Sequence, residues 1–470
     1  MSRKFQCKTI PSRWLEIDGR RLDCGPYMSG ALEAKELLSG LSATKEPLSE
    51  LVSGIYHAGR ESRTWVDSSE YGVPFMGSTD ILSADLSNLP LISKKQIEAN
   101  PNFKIGAGWT LITRSGTIGR MAFARSDMNG LACSEHVMRV VPDENKVKPG
   151  FIYAYLSSMF GVPLIISGTY GSIIQSIEPH HISSLPVPRL GEIEDRAHAL
   201  VQKAADLRVE AAEEVKAATT RFLVAAGLED ITSYDWLQNS GRIGFVASIS
   251  KTILRAVNYI PINQQLSEIV KTDSPEWKTL IELVEPGTLR RGPRFKRIDS
   301  DPEFGVELIG QREMSNLVPS GRWVSKSFLP KDKLIFASEG TIMVNAQGGI
   351  NETDSFARSQ FISGKKRSYI FSEHFLRVIA NENLIPRGAL FAYLRSNIAF
   401  RLLRSCAVGS MQQDFHPALL AELPIPIIDD SEAQSVDEMI RLAYQKYDEA
   451  IDAEDEARDI VEQAIKEGGR

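Results

Sequence analysis

The chain has 470 residues and a net charge of −6, with 43% hydrophobic and 24% charged side chains. That is enough chain for two or three domains, each burying its own core, and it excludes a low-complexity or fibrous chain. Cys7, Cys24, Cys133 and Cys406 stand far apart, with no CxxC or Cys/His ligand spacing, which argues against a disulfide framework and a zinc site.

In chain order, Met1–Phe5 lacks the apolar run of a signal peptide, and no later stretch is long enough to span a bilayer, so the expected compartment is cytoplasmic. A mixed opening leads to Trp109-Thr-Leu-Ile-Thr113, a short apolar run next to a Ser-Gly turn, which predicts a strand. A helical stretch follows near Pro149–Phe160, then a Gly-Ser loop at Gly171-Ser172, then Leu185-Pro-Val-Pro188. Proline cannot continue a helix, so this last segment predicts an extended exit from the domain. In the next stretch Ile193, Ala197, Leu200, Ala204, Leu207, Ala211, Val215, Ala218 and Phe222 follow a 4-3 spacing, the mark of a helix with one apolar stripe.

The same order then recurs. Lys333-Leu-Ile-Phe336 predicts a strand, Pro386–Leu403 a helix, Gly409-Ser410 a loop, and Leu423-Pro-Ile-Pro426 an exit. A second striped helix carries Val436, Ile440, Ala443, Tyr447, Ala450, Ala457, Val461 and Ala464, with Glu454 interrupting the seam. Ser134-Glu-His-Val-Met-Arg-Val140 matches Ser372-Glu-His-Phe-Leu-Arg-Val378 at an offset of 238, and about 20 of the 55 pairs from Ser134 to Pro188 are identical. Upstream, Leu51-Val52 matches Leu283-Val284 at 232, and Gly116-Thr-Ile118 matches Gly340-Thr-Ile342 at 224, which places about fourteen extra residues around Asn351–Ser368. A period this long means two whole domains rather than a solenoid. The expected boundaries are 1–190, 191–228, 229–428 and 429–470. The two stripes occupy equivalent places and are expected to pair; packing on separate globular domains is the alternative.

Charge follows this division. Asp429–Arg470 carries −9 and Gly191–Gly227 carries −2, which leaves +5 on the rest of the chain. Two acidic helices thus hide a mildly basic pair of domains, and local charge decides whether phosphate can approach.

No GxxxxGK[ST] loop is present. Asn100-Pro-Asn-Phe103 is close to the Asn-Pro-Pro-Phe/Tyr motif of adenine methyltransferases but has the wrong third residue and no glycine-rich cofactor turn before it. Pro142-Asp-Glu-Asn-Lys146 holds the Glu-x-Lys of many nucleases without a second metal-binding acid, and predicts a surface turn. Glu135-His136 and Glu373-His374 are expected on strands, where neighbours point to opposite faces and do not meet. His180-His181, absent from the second copy, is expected at the surface.

The order domain, long helix, domain, long helix resembles the S (specificity) subunit of type I restriction–modification enzymes. The resemblance is carried by Leu111-Ile-Thr-Arg-Ser-Gly-Thr-Ile-Gly-Arg120, Gly171-Ser-Ile-Ile-Gln175 and Ile182-Ser-Ser-Leu-Pro-Val-Pro-Arg-Leu190 in the first copy. In the second it is carried by Ala337-Ser-Glu-Gly-Thr-Ile342, Gly409-Ser-Met-Gln-Gln413 and Leu423-Pro-Ile-Pro426, with Glu339 a departure where Arg or Ser is more usual. It implies two similar target-recognition domains of mixed α/β (α+β) fold, related by a pseudo-twofold internal repeat and separated by two long antiparallel coiled-coil helices. It further implies a non-catalytic, prokaryotic protein that reads a bipartite, asymmetric site on double-stranded DNA. The implied partners are DNA adenine methyltransferase (modification) subunits, in two copies, and an ATP-dependent restriction subunit. S-adenosylmethionine, ATP and Mg would then sit on those partners, with no cofactor or metal on this chain. A related methylation-based phage-defence system, or an adaptor that reads no sequence, is the alternative.

DNA binding needs cations and amides on phosphate, with side chains at base edges. The strongest basic cluster is Arg290, Arg291, Arg294, Lys296 and Arg297, with Arg60 and Arg63 in the segment paired to it at 232. Lys365, Lys366 and Arg367 lie in the expected extra loop. Arg114, Ser115, Thr117 and Arg120 sit on a glycine turn, and Gln175, Gln412 and Gln413 on the Gly-Ser loops. All of these are candidate DNA contacts.

Overall fold

The structure, a computed structural model, describes residues 7–17, 24–167, 176–240, 244–249 and 253–468. The chain divides into two compact units. Unit 1 comprises 1–209 with 449–470, and unit 2 comprises 210–448.

Unit 1 is built on a four-stranded antiparallel sheet in the order Val52–Tyr56, Val137–Pro142, Thr110–Thr113, Met121–Phe123. All four residues of Thr110–Thr113 are buried, as expected of a strand covered on both faces. A second sheet runs Trp65–Val66, Leu91–Ser93, Gly72–Met76, Ala132–Cys133, its last pair parallel. The apolar helices Pro149–Leu156 and Gly161–Ser167 fill the core. They are bent by 69° because Ser158 Oγ accepts hydrogen bonds from the Phe160 and Gly161 amides and caps the second helix. Among the described residues no single helix is long and apolar enough to cross a membrane. The Leu-Pro-x-Pro segment closes the unit as a strand, Pro186–Pro188, paired with Lys45–Pro47.

Unit 2 repeats this plan. Its four-stranded sheet runs Arg290–Arg291, Phe375–Val378, Ile342–Asn345, Ser359–Phe361, and a second sheet runs Arg322–Ser325, Gly305–Ile309, Ile370–Phe371, again with a parallel last pair. Pro424–Ile427 pairs with Glu276–Thr279 as the closing ribbon. The helix break recurs at Ser396, whose side chain accepts from the Ala399 amide. Even the buried arginines coincide. Arg139 Nη1 donates to the carbonyls of Ser134 and Val137, and Arg377 Nη1 to those of Ser372 and Phe375. Burial lowers both guanidinium pKa values, that of Arg377 to about 10, which leaves Arg377 charged at neutral pH, and the two side chains pin the same turn.

The structure corrects four expectations. Leu111 lies opposite Arg139 and Met343 opposite Arg377, so Gly340-Thr-Ile342 corresponds to Gly108-Trp-Thr110 at 232, not to Gly116-Thr-Ile118. Gly108 and Gly340 share the left-handed conformation, with φ of 81° and 74°, and donate to the equivalent carbonyls of Ala124 and Ile362. Glu339 is therefore no departure within the glycine turn. The second copy carries six extra residues, not fourteen: the connection 114–120 becomes 346–358. Arg404 wires this longer loop to itself by donating to the carbonyls of Ile350, Asn351, Asp354 and Phe356, and Arg401 pairs with Glu352. Finally, Lys333–Ile335 is a 3-10 turn rather than a strand, because the Asp332 carboxylate caps the Leu334 amide.

The long helices span Glu192–Ala225 and Asp430–Lys466, about 51 and 55 Å at 1.5 Å per residue. In unit 1, Ala204 packs with Ala450 and Ala453, while Ala197, Val201 and Ala205 share the core with Ala457, Val461 and Ile465. In unit 2, Val215, Ala218 and Phe222 share the core with Val436, Ile440 and Ala443. Lys446 Nζ lies 3.1 Å from Glu210 and 3.2 Å from Glu214, and Arg221 lies 2.8 Å from Glu432, so numbers rise on one helix as they fall on the other. The helices pair antiparallel, and within each unit their stripes also join the globular core. Glu454, which breaks the apolar stripe, is buried and accepts from Tyr153 Oη, Arg208 and Arg458.

Candidate nucleic-acid interface

In each unit the edge strand of the four-stranded sheet runs out beside the Ser-Glu-His turn. That turn is not strand. Val137 N donates to Ser134 O, and this tight turn lets neighbouring side chains meet: His136 Nε2 is 3.4 Å from Glu135 Oε1, and His374 Nε2 is 3.9 Å from Glu373 Oε1. The expectation that Glu and His point apart fails for this reason.

Each turn glutamate is an anchor for arginine. Arg63 Nη2 donates to Glu135 at 2.8 Å, and Arg297 pairs with Glu373. Tyr56 opposes Arg139 as Arg290 opposes Arg377, so the offset here is 234 rather than 232, with two extra residues in the Glu285–Thr288 turn. Arg63 and Arg297 are thus the true counterparts. Burial works against ionisation of Glu373, but hydrogen bonds from its own backbone and from Arg297, with the Arg297 charge, outweigh it and hold the carboxyl below its usual range. His374 is lowered by burial, opposed by Glu373 and reinforced by Arg291, Arg297 and Arg294, which leaves the ring neutral at neutral pH.

The predicted residues sort by what they touch. Arg114 is 12% exposed and donates to Ile177 O, Glu135 O and Ser176 Oγ while pairing with Glu178, so it holds the neighbouring loop in place. Ser115 Oγ is 2.6 Å from His136 Nδ1. Arg63 lies over the Phe75 ring. Arg60, Thr117 and Arg120 are exposed. In unit 2, Arg290 pairs with Asp332 at 2.9 Å, and Arg291 donates to Glu373 O and pairs with Asp414. Arg294 is 89% exposed with only a 3.9 Å approach to Glu373, and Lys296 is exposed. Five cations here face three carboxylates, and the surplus points to solvent.

Lys365, Lys366 and Arg367 are not in an insertion. Their 3-10 turn, Gly364–Ser368, matches Ser126–Met128 of unit 1 at 238. Lys366 lies over Tyr444 of the second long helix, and desolvation there lowers its pKa to about 8. Arg367 is 3.6 Å from Glu339, and Lys365 is exposed. Gln412 is exposed, whereas Gln413 is buried and its amide donates to Ser410 O at 2.6 Å, which removes it from any surface. Gln175 lies outside the described residues.

The enzyme-like motifs have structural partners. Asn100 accepts from the Asn102 amide and caps a 3-10 turn that buries Phe103. His181 Nδ1 accepts from Glu178 N and closes a capping box, while His180 is exposed. Glu135, Glu373 and Asp414 anchor Arg63, Arg297 and Arg291, a role that the sequence pattern does not reveal. The repeated Ser-Glu-His signal was visible, but its geometry was not.

No protein-family profile and no curated protein matches the chain. Twelve solved chains do. One is a type I restriction–modification S subunit from M. genitalium, at 11% identity and a TM-score of 0.37, covering 91% of this chain and 96% of that one. Another is the HsdS subunit from Thermoanaerobacter tengcongensis, at 13% identity and 0.27, covering 90% and 96%. A third comes from a study of complex assembly and conformational transition of the type I R-M system, at 12% and 0.26, covering 91% and 97%.

Proposed function

We propose that this chain is the DNA-sequence-recognition subunit of a type I restriction–modification assembly. The observation that carries this reading is the duplicated unit. Both copies present the same Ser-Glu-His turn, the same arginine–glutamate pair and exposed cations beside it, yet the loops around that shared frame differ. Shared arginines fix the loops, and diverged residues are free to read different bases. Identical halves bind palindromes, whereas diverged halves in one chain suit an asymmetric, split site. Target recognition then falls to 1–190 and 229–428, with 191–228 and 429–470 as the spacer.

In this reading exposed Arg60, Arg120, Arg290, Arg294 and Lys296 meet phosphate, and the acidic outer faces of the long helices take the methyltransferase subunits. S-adenosylmethionine and ATP belong to those partners. This chain supplies register, affinity and sequence choice rather than bond chemistry. The test is selection of duplexes from a random-sequence pool by the purified chain with its methyltransferase partner. The reading expects one motif with two constant blocks and a gap of fixed length. Recovery of random sequence would favour an adaptor that binds proteins only.

A further inference from the structure

The β-hairpin Ala407–Gly409/Gln413–Phe415 has a base fixed on several sides and a bare tip. Asp414 pairs with Arg291 of the basic cluster, and the Gln413 backbone N–H donates to Gly348 O of the longer loop at 2.9 Å. Phe415 stacks on Phe356, and Asn258 donates to the carbonyl of Ala407. Buried Gln413 braces the tip from within through Ser410 O. Beyond these anchors Met411 is 91% exposed, and Gln412 beside it is exposed as well. Methionine ordinarily fills apolar gaps, and a rigid hairpin that cannot fold it back holds it out toward water.

Resting on the recognition reading above, we propose that this hairpin tip is the base-reading element of unit 2. Two features select DNA as its occupant. The hairpin is tied by ion pair to a segment whose surplus positive charge suits phosphate, and the tip supplies the two groups that an A·T pair asks for. A glutamine amide matches the adenine N6/N7 edge, and an apolar side chain matches the thymine methyl. Gln412 makes the first contact and Met411 the second, so the half-site read by this unit contains at least one A·T pair. Exposed Arg290, Arg294 and Lys296, on the segment that Arg291 ties to the hairpin, hold the DNA backbone. The corresponding stretch of unit 1, residues 168–175, lies outside the described residues.

The experiment is the same duplex selection run on the full chain with Met411→Ala and with Gln412→Ala, followed by competition binding on the enriched motif. Both side chains face solvent, so unchanged thermal unfolding shows that the variants are folded. One block of the motif is expected to lose its preference at one or two positions, by roughly 5- to 150-fold in discrimination, while the other block stays intact. Replacing thymine by uracil in that block removes one methyl group and is expected to weaken wild type by about fourfold, with no effect on Met411→Ala. A wild-type motif that both variants enrich unchanged, or affinity that falls equally on all sequences, overturns the hairpin proposal and leaves the recognition reading standing. Absence of any motif with wild type overturns both.

Discussion

Replacing Glu454 by Gln removes the buried carboxylate that accepts from Arg208, Arg458 and Tyr153, and leaves Arg458 with Asp455 alone. Burial opposes the carboxylate, but the charges of Arg208 and Arg458 with the bonds from Tyr153 and Arg208 win, and its pKa falls from 4.5 to about 2. A fall of that size corresponds to about 3 kcal/mol at roughly 1.4 kcal/mol per unit. The folded value lies below the unfolded one, so this stability is present above the unfolded pKa and is lost as pH falls toward 2. Glu454→Gln is therefore expected to destabilise unit 1 by roughly 3–5 kcal/mol at pH 7, the range for breaking a buried pair. The variant is also expected to lose part of the acid sensitivity that wild type shows between about pH 5 and pH 2. The paired change Arg208→Met with Glu454→Leu takes out one charge of each sign and leaves Arg458 on Asp455, so it is expected to recover part of the loss, the rest being the Tyr153 hydroxyl left without its acceptor. Urea unfolding of the full chain, followed by circular dichroism across that pH range, measures all three. A Glu454→Gln cost below about 1 kcal/mol, or a double variant as unstable as the single one, would refute an ionic lock in the helix seam.

Other consequences are as direct. Alanine at Arg290, Arg294 and Lys296 together is expected to weaken duplex binding and lower the slope of log affinity against log salt by nearly three, with thermal unfolding unchanged; an unaltered slope removes these residues from the interface. Arg377→Met strands the buried carbonyls of Phe371, Ser372 and Phe375, and a loss of roughly 3 kcal/mol is expected by thermal unfolding. Arg404→Ala frees four loop carbonyls; hydrogen exchange is expected to speed up across residues 346–358 and to stay constant in the sheet.

The duplication and the striped helices were legible because both are periodic, and periodicity survives divergence. The downstream register was readable from one uninterrupted offset. Upstream it was not: Gly-Thr-Ile occurs at 116 and 340 by coincidence, while the true partners, Gly108 and Gly340, share a left-handed φ and little neighbouring sequence. The basic cluster was visible as composition, but composition cannot tell an arginine that points outward from one that ties a loop. Arg114 and Arg297 belong to the second kind and Arg294 to the first, a distinction made by Glu178, Glu135 and Glu373, far off in sequence. Gln412 and Gln413 are neighbours with opposite fates because Gln412 sits in the hairpin turn, exposed, while Gln413 opens the returning strand and is held inward by Gly348 and Ser410.

The claim on which all this turns is that two descendants of one module read two separate stretches of the same duplex. Mapping of genomic DNA methylation, with the intact gene, without it, and with residues 1–190 exchanged for those of a related chain, addresses it most directly. The account predicts a split motif that vanishes on deletion and changes in one half only on exchange. Methylation unaltered by deletion, or an exchange that rewrites both halves at once, would contradict it.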